Sequence, residues 1–288
     1  MPDLSPLYAL LPLLLPFECL QARFMQQALL GLLLLAPMAA VMGLMVVNFR
    51  MAFFSDAISH SAFAGVALGL IFSVDPGWTM PAFGLLVGLG IMILQRHSSL
   101  SSDTVIGVFF SAMVAFGLAI VSRDRSLARD LQRFLYGDIL TISDSQILSL
   151  MLLFLVLMTF QAVSYNHLLY IGLNPALAQA HRVRVAIQQY FFAGLLALVV
   201  MFSVQAVGVL LVTAMLIVPA AAARNVARSA GAMFWWAMLV SLSSAVAGLL
   251  ISAQDWARTA TGATIIIVAC GWFLVSLVVA ALRRGQAV

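Results

Sequence analysis

No lysine occurs anywhere in this 288-residue chain, and all 14 of its basic side chains are arginine. A Walker A loop needs its lysine on the β- and γ-phosphates, so ATP hydrolysis of that kind is excluded from this polypeptide. Charge of either sign is scarce: 8% of residues are charged against 64% hydrophobic, with a mean hydropathy of +1.11. Water-soluble domains carry about a quarter charged residues, which excludes an ordinary soluble globule. The two cysteines, Cys19 and Cys270, lie near opposite ends and form no ligand spacing, so both read as apolar filler. Neither HExxH nor GxSxG occurs, which removes the usual membrane zinc protease and the hydrolase elbow.

What the chain does have is unbroken apolar runs. A transmembrane barrel would alternate polar and apolar residues, so the fold class is an all-α integral membrane protein, a polytopic helical bundle of about 8–9 spans. The candidate spans are 27–49, 54–73, 78–94, 104–122, 146–164, 187–204, 206–222, 231–251 and 262–282, with the division near Val204–Gln205 open to merging. The chain reads as one transmembrane domain over 1–288, in which 1–25, with Pro12, Pro16 and Glu18, forms an interfacial helix or a partial span. Arginine bias places the C-terminus, the 172–185 loop, the 95–103 loop and the Arg50 turn in the cytoplasm. The segment 123–145 is then external, and Leu127, Leu131, Phe134 and Leu135 suggest an amphipathic helix on the membrane surface. A net charge of +4 follows from such basic loops and needs no nucleic-acid partner.

Within "RMAFFSDAISHSAFAGVALG" (50–69), Asp56 and His60 stand four residues apart in a span. On a helix they lie about 40° apart, one turn up the same face, while Gly65 and Gly69 fall on the opposite side. The polar ridge should face an aqueous or protein-lined interior, because ionisable groups in spans rarely face lipid. A carboxylate and an imidazole at this spacing can present two ligands to a divalent metal. Equally, Asp56 could interact with the helix dipole and His60 could hydrogen-bond to a backbone carbonyl. A triad with Ser59 is excluded, since adjacent residues point about 100° apart on a helix.

These residues resemble the signature of permease subunits of zinc/manganese-type metal ABC importers. "SSDTVIGVFFS" (101–111), "RFLYGDILTIS" (133–143) and "VGVLLVTAMLIVPAAAAR" (207–224) match further family motifs in order. The resemblance implies a type II importer fold, similar to the cobalamin importer permease, set in a bacterial-type cytoplasmic membrane. It implies two permease copies around a central path, separate ATPase subunits that bind ATP, and an extracytoplasmic metal-binding protein. It makes Asp56 and His60 stops for the transported ion, with Asp103 a further metal candidate or else a helix N-cap. It also makes 172–185 a coupling helix, with Asn174, Pro175, Ala178 and Arg182 contacting the ATPase. This chain departs from the pattern at Ala176, where an acid is usual, and at Arg182, near a usual glycine. The loop 252–264 keeps only Gly262 of the family's form, and Pro219 is a hinge or gate candidate.

The expected function is ATP-driven import of a divalent transition metal, zinc in preference to manganese or iron, with no permanently bound cofactor. Oxygen and imidazole ligands suit those ions, and the fifteen methionines are scattered as core filler rather than gathered for copper(I). One rival is a proton-coupled secondary carrier using Asp56 and His60 as a relay. Another is a membrane scaffold or receptor in which the pair is structural.

Overall fold

The structure is a computed structural model that describes residues 7–8, 17–122 and 138–285. Its helices are α1 (Arg23–Asn48), α2 (Phe54–Ile71), α3 (Pro76–His97), α4 (Ser102–Val121), α5 (Asp144–Leu173), α6 (Pro175–Ala180), α7 (Val185–Val207), α8 (Val209–Val226), α9 (Ala230–Ser252) and α10 (Thr261–Gly285). Among the described residues there is no strand, and eight helices are long and apolar enough to cross a membrane. The expected surface helix around 127–135 lies outside the described residues, as does most of the segment before Phe17.

Helix ends follow local chemistry. Asp75 caps α3 by accepting from Gly77 N at 2.9 Å, and Pro76 starts the helix, where no N–H is needed. Ser101 caps α4, Asn174 caps α6 and Ser229 caps α9. The end of α1 closes with Met51 N donating to Val46 O at 3.0 Å, a wrap that puts Arg50 in the left-handed region at φ 56.

Two boundaries differ from expectation. The division expected at Val204–Gln205 falls later, because α7 continues to Val207 and the chain turns at Gly208 with φ 84 and ψ 165. That backbone region is open essentially to glycine alone, and hydropathy does not register it. The span expected at 146–164 continues as helix to Leu173, through the polar "SYNH" at 164–167. Helix propagation tolerates polar residues that a hydropathy window rejects.

The chain forms two compact units, 1–44 with 137–155 and 206–288, and 45–136 with 156–205. In the first, α8, α9 and α10 pack on one another. Gly43 of α1 lies directly against the Leu216 carbonyl of α8, and Gly248 of α9 lies against Ile265 of α10. Ser241 donates to Ala36 O at 2.7 Å, and Arg283 reaches Val226 O at the end of α8 at 2.9 Å. Asp144, at the start of α5, accepts from Tyr8 Oη at 2.6 Å, Gln27 Nε2 at 2.7 Å and Arg23 Nη2 at 3.1 Å. In the second unit α2 packs on α3 and α4. There Gly65 leaves room for the Met80 backbone, where an added Cβ would come within 2.9 Å of Met80 Cα. Gly84 and Gly88 of α3 instead make room for the side chains of Met201 and Ala197 of α7. Close backbone approach through small residues is how membrane helices gain packing energy where lipid competes for apolar contact.

Gly43→Ala is expected to destabilise by about 1–3 kcal/mol, because its methyl would overlap a backbone carbonyl. Gly271→Ala, where an added Cβ meets nothing within 4 Å, should instead stabilise by up to about 1 kcal/mol. Paired thermal melts of the purified variants in detergent check the ordering.

Candidate functional site

The site is built on α2, within the second compact unit. Asp56 falls in the first turn of α2 and His60 one turn later, and both side chains are half-buried. A rise of about 1.5 Å per residue separates their backbone positions by about 6 Å along one face. Gly65 and Gly69 occupy the far side and meet Met80 and Thr79 of α3. The glycine face is thus consumed by packing, and the polar ridge is turned away from it.

The His60 ring is framed by aromatic edges. Phe63, from the same helix, lies 5.6 Å away between centroids, and Phe110 of α4 lies 5.0 Å away at an interplanar angle of 89°. Such edge contacts orient an imidazole without occupying its nitrogens. Among the described residues no hydrogen bond holds the ring, so the backbone-carbonyl alternative for His60 is not realised there. Ser59 is fully buried with an unpartnered hydroxyl, separate from this ridge.

Asp103 stands apart from the pair. It lies in the first turn of α4, exposed, and the cap belongs to Ser101, whose hydroxyl accepts from Thr104 N at 3.2 Å. The N-cap alternative for Asp103 is therefore corrected by two residues. Phe110, the α4 residue beside His60, is about 10 Å further along that helix. Among the described residues no group of three or more His, Cys, Asp or Glu gathers to hold a metal. One chain offers a two-ligand stop and not a closed cage.

The 172–185 segment forms α6 with a tight entrance and exit. Asn174 Oδ1 accepts from Ala176 N at 2.9 Å, and Pro175 follows at the first helical position. The exit wraps through Arg182 N to Gln179 O and Val183 N to Ala178 O, with Arg182 at φ 59. That left-handed conformation is the reason a glycine suits the position. Ala178 is fully buried against its own chain, so it anchors α6 and is not available as an outward contact. The outward apolar residues are Leu173 and Leu177, 78% and 44% exposed, four residues apart. Sequence reading passed over Leu177, and helical spacing could not have found it, because the extended Asn174 breaks the helix between the two leucines. A cavity of about 340 Å³ borders the same segment, lined by Arg50, Gln95, Ser102, Gly172, Pro175 and Gln189.

Pro219 is buried inside α8. The preceding turn, at Leu216, is where Gly43 of α1 presses on the backbone. The proline therefore sits beside a clamped contact.

Comparison with known proteins gives a consistent result. The model of the ABC 3 transport family matches residues 21–280. The chain is 31% identical over 250 residues to the high-affinity zinc uptake system membrane protein ZnuB of Haemophilus influenzae, covering 87% of this chain and 95% of that one. It is 33% identical over 263 residues to the manganese import system permease protein ScaB of Streptococcus gordonii, covering 91% and 93%. Among solved structures, PsaBC from Streptococcus pneumoniae in complex with Fab matches with a TM-score of 0.76 and 30% identity, over 88% of this chain and 91% of that one.

Arg182→Gly is expected to stabilise the protein by about 1 kcal/mol, because glycine occupies the left-handed exit of α6 without steric cost. A higher melting midpoint for Arg182→Gly than for Arg182→Ala checks this.

Proposed function

The chain belongs to the ABC 3 transport family, and from that premise we propose that it carries zinc, with Asp56 and His60 as successive stops on the ion's path. It is a multi-pass inner-membrane permease of an ATP-binding-cassette metal importer. The family implies an ATPase subunit and a substrate-binding protein beside it. A chain without lysine has no Walker A loop of its own, in keeping with a motor on another subunit.

The observation that carries the reading is the α2 ridge. A carboxylate and an imidazole share one helix face, with the imidazole framed by Phe63 and Phe110 and bound by no described hydrogen-bond partner. Imidazole nitrogen with carboxylate oxygen is a donor set that zinc accepts well. A second permease copy would bring a second pair, completing four ligands across a shared path. Incomplete coordination within each copy suits transport, since an ion held too tightly does not leave. Relatives named for zinc and for manganese match at similar identity and the donor set suits both ions, so the choice of zinc is decided by comparing uptake of the two.

Energy would enter through α6. Leu177 of α6 and Leu173 at the end of α5 are both exposed on either side of the Asn174 cap, apolar groups that a groove on a partner could cover. Closure of the ATPases would then move α6 and, with it, the ends of α5 and α7. Pro219 is proposed as an element of the gate, acting through the α8 turn that Gly43 grips.

In cells carrying the whole transporter, Asp56→Ala and His60→Ala should each lower zinc uptake at least about tenfold while leaving complex assembly intact. Wild-type uptake by both variants would remove the pair from the path. Replacing the Walker A lysine of the partner ATPase should abolish uptake, and uptake that persists would favour a proton-coupled carrier. Manganese uptake exceeding zinc uptake would reverse the metal preference.

A further inference from the structure

In the second compact unit an apolar slot of about 710 Å³ lies between α3, α5 and α7, walled by Leu85, Leu89, Phe160, Phe191, Gly194 and Leu198. Gly194 adds to its width, since a Cβ there would come within 3.3 Å of a Leu85 methyl. Along α7 the wall runs from Tyr190 to Leu198, about 12 Å of helix. At the Tyr190 end the slot meets a cation: the Arg96 guanidinium carbon lies 5.7 Å from the centroid of the Tyr190 ring. Arg96 is exposed and in the last turn of α3.

Positive charge predominates at the Arg96 end of this slot. Residues 76–102 and 156–207 carry Arg96, Arg182 and Arg184 and no acid, with Asp103 the first carboxylate beyond Arg96 in the chain. By the arginine bias these groups belong to the cytoplasmic leaflet, where anionic lipids collect. A slot lined by hydrocarbon, bordered by helices that cross the bilayer and ending at an arginine, matches a molecule with an apolar tail and an anionic head. We propose that it binds one anionic phospholipid of the surrounding bilayer, with an acyl chain along α7 and the headgroup phosphate on Arg96. A zwitterionic ethanolamine lipid is disfavoured, because its ammonium would face like charge at Arg96.

The test uses the intact permease–ATPase complex, released into the mass spectrometer from nanodiscs of phosphatidylglycerol or of phosphatidylethanolamine. Phosphatidylglycerol should remain bound, one per permease copy, and phosphatidylethanolamine should not. Arg96→Gln should lower phosphatidylglycerol retention about fivefold, the effect of one surface arginine on an anionic lipid, and Arg96→Lys should largely keep it. Leu198→Phe, which narrows the slot without changing charge, should lower it as well. Equal retention of the two lipids overturns the proposal, as does unchanged retention in either Arg96→Gln or Leu198→Phe. A Val156→Cys disulfide forming between two permease copies in the membrane would also overturn it, by placing the second copy over the slot.

Discussion

A polar group surrounded by hydrocarbon has no water to fall back on, so each must find its partner inside the protein or be justified by what it does. Most of this chain obeys that constraint quietly. Backbone groups close within helices, hydroxyls such as Ser55 and Ser61 turn back to carbonyls of the preceding turn, and Ser241 ties α9 to α1. Asp144 is gripped by three donors from the chain's N-terminal part. Against that background, the His60 ring, with aromatic edges and no described hydrogen bond, stands with a smaller set of groups that lack a partner, Ser59, Gln161 and Ser203 among them.

The same constraint explains the use of glycine. Where lipid is as apolar as leucine, helices adhere by fitting closely, and the positions that decide the fit are those where an added methyl would strike another backbone. Gly43 against Leu216 and Gly65 against Met80 are two such positions, one in each unit. Gly65 has a second consequence, since by committing one side of α2 to α3 it leaves the Asp56–His60 side as the helix's remaining polar face.

Much of this was legible in sequence. Apolar runs located the helices, the Asn174–Pro175 pair located the start of α6, and the four-residue spacing put Asp56 and His60 on one face opposite the glycines. Properties carried by backbone geometry or by distant residues were not legible. Hydropathy cannot see the positive φ of Gly208, so the α7–α8 break was misplaced, and the polar run at 164–167 hid the last turns of α5. Phe110 reaches His60 from another helix, and no spacing rule within one segment reveals it. Ala178 was assigned outward by resemblance and lies inward, because resemblance transfers a motif but not the rotation of a six-residue helix.

The pair Leu173 and Leu177 also bears on how such a protein is made. Leu173 and Leu177 are two bare leucines in the stretch that leads to the tight turn at Arg182. If the ATPase docks there as proposed, a copy inserted into the bilayer before its motor arrives would leave those leucines open to chaperones and proteases. Supply of the two subunits in matched amounts would then be a condition of survival for the permease, imposed by two exposed leucines.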